Sequence, residues 1–162
     1  MQKIVPCLWF DYQAEEAVNF YLSIFKDGKI LNTSRYDQAS AEVSGQPAGS
    51  VLTVDFEMFG QTFMALNGGP IFKFSEAVSL VVNCKDQAEV DELWQKLTAD
   101  GGQESQCGWL KDKYGFSWQI VPVALGEMMS SKDVLASQRV MKTMLNMKKL
   151  DMAILEAAFQ GK

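Results

Sequence analysis

The sequence predicts an α+β protein made of two βαβββ modules followed by C-terminal helices. Two observations carry this. First, the chain restarts its own pattern: "QAE" opens a helical stretch at 13–15 and again at 87–89, and "FGQTFMAL" (59–66) matches "YGFSWQIV" (114–121) in its aromatic-glycine start and apolar alternation. Second, each restart runs strand, helix, strands, with the period of the apolar residues switching between 2 and 3.6. One half alone would leave its sheet uncovered on one side, so the two are expected to pair. The expected layout is modules at about 3–67 and 76–123 within a paired body, 1–124, with 125–162 as a helical extension of the same domain.

Taken in order, "IVPCLWFD" (4–11) reads as a strand with Leu8 and Phe10 on one face and Cys7 and Trp9 on the other. Residues 13–25 read as a helix with Ala17, Tyr21, Ile24 and Phe25 on one face, ended by Gly28. A strand over 29–36 and a polar loop over 37–50 follow. "VLTVDFEMF" and "QTFMALN" flank Gly60 as a hairpin. After "GGP" (68–70), "EAVSLVVNC" (76–84) reads as a strand. Asp86 and Glu89 have capping-box spacing ahead of a helix with the stripe Val90, Leu93, Trp94, Leu97. "CGWLKDK" and "FSWQIVP" form a hairpin through Gly115. Residues 130–162 read as two helices broken near Lys148–Asp151. Six of nine methionines lie between Met128 and Met152. They read as a packing stripe against the body or a partner, the alternative being an adaptable recognition surface.

The chain has 162 residues, 48% hydrophobic, and a formal charge of −5. No Lys/Arg cluster points to nucleic acid or an anionic membrane surface. No apolar run approaches the roughly 20 residues that span a bilayer, and "MQKIVPCLWFD" lacks a signal-peptide pattern. A cytoplasmic location is expected. Cys7, Cys84 and Cys107 form no CxxC and read as buried reduced thiols. There is no histidine, which removes the usual near-neutral base and the commonest metal ligand. Self-contained Ser–His–Asp and Cys–His sites are therefore excluded.

"ALNGGPIFKFSEAVSLVVNC" (65–84) and "CGWLKDKYGFSWQIVP" (107–122), with "FY" at 20–21, are distinctive. In these segments the chain resembles the PhnB-like, 3-demethylubiquinone-9 3-methyltransferase-like branch of the vicinal oxygen chelate superfamily. That superfamily also holds glyoxalase I, the bleomycin- and fosfomycin-resistance proteins and extradiol dioxygenases. The resemblance covers about 3–124 and implies modules paired into a cup-shaped mixed sheet, and a homodimer. It places the metal-ligand positions at about Val5, Met64, Ser79 and Gln119. None of the four is an imidazole or carboxylate, so no metal and no cofactor is expected.

By alternation, Pro6, Leu8, Phe10, Phe63, Ala65, Leu80, Val82, Cys84, Trp118 and Ile120 face the helices. Cys7, Trp9, Thr62, Met64, Ser79, Asn83, Ser117 and Gln119 face the cup, with Leu66, Val81 and Val121 between them. Apolar walls carrying a few polar groups suit a small-molecule ligand. The expected function is metal-independent small-molecule binding of the glyoxalase/bleomycin-resistance type, by sequestration. Alternatives are a lyase, isomerase or dioxygenase-like enzyme, a purely structural dimer, and a quinone-related methyltransferase. The last lacks a glycine-rich loop between a strand and a helix. Nothing in the sequence converges Asp55, Glu57 or Cys107 on one acid–base site, so the catalytic residues of any such enzyme are unknown.

Overall fold

The computed structural model describes residues 2–162, which form two compact units, one ending at Lys73 and the other Phe74–Lys162. In the first unit β1 (Cys7–Phe10) leads through α1 (Ala14–Phe25) to β2 (Gly28–Arg35), α2 (Gln38–Ser44), β3 (Val51–Met58) and β4 (Gln61–Asn67). The sheet order is β1-β4-β3-β2, with β1 parallel to β4 and the other pairs antiparallel. The second unit repeats it. β5 (Ser79–Cys84), α3 (Gln87–Thr98), β6 (Gln103–Glu104), β7 (Trp109–Lys111) and β8 (Ser117–Pro122) give the order β5-β8-β7-β6, again with only the first pair parallel. The duplication read from "QAE" and the two hairpins is thus a duplication of topology.

α1 and α3 each cover one face of their own sheet. In α1, Ala17, Val18 and Tyr21 are fully buried, and beneath them Phe56 and Phe63 stack across β3 and β4 with centroids 5.4 Å apart. In α3 the expected stripe Val90, Leu93, Trp94 and Leu97 is buried. Its start is capped as the spacing implies: Asp86 Oδ1 accepts from Glu89 N at 2.9 Å, while Glu89 Oε2 reaches back to Lys85 N at 2.7 Å. The hairpin turn between β3 and β4 uses positive φ at both Phe59 and Gly60, which matches the twist of the flanking strands.

Two sequence expectations are corrected. The polar stretch 37–50 contains α2, begun by a full capping box between Asp37 and Ser40. Only Ala41 of α2 is buried, so there was no apolar stripe to read. Gly28 does not end α1. Lys26 does, at φ 57, and Gly28 opens β2 where a Cβ would stand 2.2 Å from the Glu57 carbonyl oxygen. The tail holds the two expected helices over 130–162, α5 (Val134–Met144) and α6 (Met152–Gln160), and a further helix, α4 (Val123–Met129), precedes them. α4 was hidden because it follows β8 without a break, Pro122 serving as last strand residue and N-cap.

These helices close a second core around Leu125, Met128, Val140, Leu150 and Leu155, against which Met129, Met144 and Met147 pack. Four of the six tail methionines therefore pack within their own unit, while Met141 stays exposed. Gln87 latches the tail to α3, donating to Leu150 O at 3.1 Å and accepting from Met152 N at 2.8 Å. Lys149 pairs with Asp91 beside it. No helix among the described residues is long and apolar enough to cross a membrane.

Candidate functional site

The eight polar and aromatic positions expected on the open sheet faces fall into two groups, one per unit. In the first unit Cys7, Trp9, Thr62 and Met64 all lie opposite α1, alternating with buried Leu8, Phe10, Phe63 and Ala65. Register builds rows across this face: Cys7, Met64 and Asp55 in one, Trp9, Leu66, Thr53 and Ser34 in the next. Thr53 and Ser34 share a hydroxyl hydrogen bond of 2.6 Å.

One of these side chains, Trp9, is less available than the sequence suggested. The indole N–H of Trp9 donates to Gly69 O at 2.8 Å, and its ring meets Phe72 edge-on at 4.9 Å. A Cβ on Gly68 would stand 2.2 Å from that ring, and one on Gly69, at φ 86, 2.8 Å from the Tyr12 hydroxyl. Asn67 completes the turn: its Oδ1 caps α1 by accepting from Ala14 N at 2.9 Å, and its Nδ2 donates to Val51 O at 3.0 Å. The "NGGP" motif is thus the clamp that seats Trp9 and starts α1.

Cys7 is exposed, correcting the expectation of three buried thiols; Cys84 is buried and Cys107 intermediate, and all three are free. Partial burial, and secondarily the charge of Asp55, push the Cys7 thiol up from its ordinary value. It stays a protonated thiol at neutral pH, the wrong state for a nucleophile. Cys84 is pushed up further, to about 12, chiefly by burial.

In the second unit Ser79, Ser117 and Gln119 come together. Ser79 pairs with Ser117, and Val81 with Gln119, across the parallel β5–β8 ladder; Trp109 flanks Gln119 from β7. Gln119 Nε2 donates to Ser79 Oγ at 2.9 Å. Among the described residues nothing donates to the Gln119 Oε1. The pair therefore offers an amide acceptor beside a serine O–H donor on a half-buried apolar wall. Asn83 lies exposed towards the far end of the same face. Ser117 is buried, and its Oγ has no hydrogen-bond partner among the described residues.

Sequence reasoning missed Asp112, which is 2% exposed. Its Oδ1 accepts from Tyr114 N at 2.9 Å and Phe116 N at 3.0 Å, and its Oδ2 from the Trp118 indole at 2.8 Å. This shapes the turn that delivers β8, and with it Ser117 and Gln119. The signal was an aspartate just ahead of a glycine turn.

The positions assigned to metal ligands do not fit a divalent cation. Val5 has no donor, Met64 offers a soft thioether, and the Ser79 hydroxyl already accepts from Gln119. Among the described residues no three Cys, Asp or Glu side chains gather as a metal-binding group.

The sequence matches the family described as 3-demethylubiquinone-9 3-methyltransferase over residues 2–121. No curated protein matches it. Among solved structures, the PhnB protein from Bacillus cereus is 37% identical, with a TM-score of 0.65 over 75% of this chain and 99% of that one. PA1353 from Pseudomonas aeruginosa is 19% identical, TM-score 0.58, over 75% and 98%. FosX, a fosfomycin-resistance protein from Listeria monocytogenes solved with Mn(II) and sulfate, is 13% identical, TM-score 0.53, over 80% and 97%. The last two likenesses are of fold alone.

Proposed function

Because this chain belongs to the 3-demethylubiquinone-9 3-methyltransferase family, the PhnB-like branch of the vicinal oxygen chelate superfamily, we propose that it binds a small molecule without a metal ion, by sequestration as in the bleomycin-resistance type. The observation that carries this reading is the Gln119–Ser79 pair. Two superfamily ligand positions hold neutral groups bonded to each other, which suits an uncharged polar tip on an apolar ligand better than a cation. Methyl transfer has less support, since both sheets are mixed βαβββ sheets rather than the doubly wound parallel sheet that cradles nucleotide cofactors.

The test begins with native mass spectrometry of the purified protein to identify a co-purified ligand, followed by titration calorimetry. Gln119→Leu is expected to weaken binding roughly three- to tenfold, the loss of one neutral buried hydrogen bond, without lowering the melting temperature. The half-buried Gln119 and Ser79 leave few fold contacts to lose. Added Mn(II) should leave both affinities unchanged. An unaltered affinity in Gln119→Leu makes the amide structural.

In this reading the protein works as a homodimer. β1 and β5 each stand at one edge of their sheet, and Ile4, Val5, Val78 and Val81 stand exposed on or beside them. Unpaired strand edges carrying apolar side chains are usually covered. Light scattering at micromolar concentration should give about twice the chain mass of 18.1 kDa. A stable monomer overturns the assembly.

A further inference from the structure

Beside the Gln119–Ser79 pair the second unit contains a cavity of about 130 Å³, lined by Glu76, Gln103, Ser105, Trp109, Lys111 and Ser117 among others. That is room for about four waters at ~30 Å³ each, or for the head of a small organic molecule. Two features show that it is built for a polar guest. Ser117 is 1% exposed, yet its hydroxyl has no partner among the described residues, and a buried hydroxyl is costly until something bonds it. Lys111 is its cross-strand neighbour on the same face, and the ammonium is held at 2.5 Å by Glu76 from the turn ahead of β5.

We propose that this cavity is a carboxylate pocket in which Glu76 is an internal occupant: a small organic acid displaces Glu76 from Lys111 and accepts a second hydrogen bond from the Ser117 hydroxyl. The charges balance on exchange. The acid replaces the one negative charge that Glu76 withdraws, and the Glu76 side chain, 64% exposed, returns to water. The remaining lining carboxylate, Glu104, is already engaged, by the Trp94 indole at 2.8 Å and by Lys148 at 3.6 Å. An ion pair as exposed as Glu76–Lys111 holds weakly. An external carboxylate that also bonds Ser117 gains what Glu76 leaves unmade, because Ser117 has no bond to Glu76 or to any other described group. The proposal rests on the reading of this sheet face as the ligand surface and adds a carboxylate at Lys111 to the uncharged tip at Gln119, narrowing the ligand to an apolar acid that carries both groups.

Amide NMR of ¹⁵N-labelled protein, titrated with sodium acetate against sodium chloride at constant ionic strength, tests it. Acetate should produce saturable shifts at Lys111, Ser117 and the turn carrying Glu76. Glu76→Gln should tighten acetate about threefold or more by removing the internal competitor, and Ser117→Ala should weaken it about threefold or more. Shifts that do not saturate, or affinities unchanged in both variants, overturn the proposal and leave the cavity to solvent. Tightening in neither variant but weakening in Ser117→Ala overturns the role of Glu76. These outcomes are separate from the Gln119→Leu calorimetry. A co-purified ligand that needs Gln119 while acetate leaves Ser117 unmoved sinks the pocket alone. Acetate binding with a neutral Gln119→Leu sinks only the wider reading.

Discussion

Trp118→Ala is expected to destabilise the protein by about 3–5 kcal/mol, the range for truncating a large core aromatic. Trp118 is 2% exposed, meets Phe116 edge-on at 5.5 Å and lies in β8 between β5 and β7. Its loss leaves a cavity under α3 and strips the Asp112 Oδ2 of the indole donor. Trp9→Ala should cost clearly less, because Trp9 lies on the open face and is only half-buried. Its main partners are the turn at Gly68–Gly69 and the exposed ring of Phe72. Urea melts of the two variants measure the difference. Equal losses would contradict the assignment of the two rings to opposite faces.

Asp112→Ala is the second large effect, roughly 3 kcal/mol or more. Hydrogen bonds to a charged group contribute about 1.5–3 kcal/mol each, and donors left buried without an acceptor add their desolvation penalty. Three donors lose their acceptor at once: two turn amides and the Trp118 indole. Asp112→Asn keeps one carbonyl oxygen and should retain part of the loss. A double-mutant cycle of Asp112→Ala with Trp118→Phe should show a coupling of about 1 kcal/mol or more, since the two share one bond. Additive losses would mean that the indole bond contributes nothing.

The residues that explain the family's motifs are largely structural. In "ALNGGP", Asn67 caps α1 and the two glycines admit Trp9 and Tyr12. In "WLKDKYGFSW", Asp112 gathers the turn and the tryptophan. The binding proposed for this chain would fall to a shorter set: Gln119 and Ser79, with Ser117 and Lys111 beside them. A motif so occupied with folding is compatible with many ligands, which is why family membership alone does not name one.

The sequence by itself determined the repeat, α1 and α3 with their buried stripes, both hairpins and the faces taken by the residues of β1, β4 and β8. Trp118 inward and Trp9 outward follow from a period of two, a property of the strand alone. The absence of histidine was equally plain. Tertiary structure decided which side chains became neighbours. Ser79 meets Gln119, and Lys111 meets Ser117, because of the register between strands remote in the chain. Register depends on turn geometry and on the packing of whole faces, so no local pattern announces it. The same holds for Asn67 reaching α1, Gln87 latching the tail, and the burial of the Ser117 hydroxyl. Each is a single polar group whose partner is supplied by a distant segment, and burial without water is what makes that partner matter.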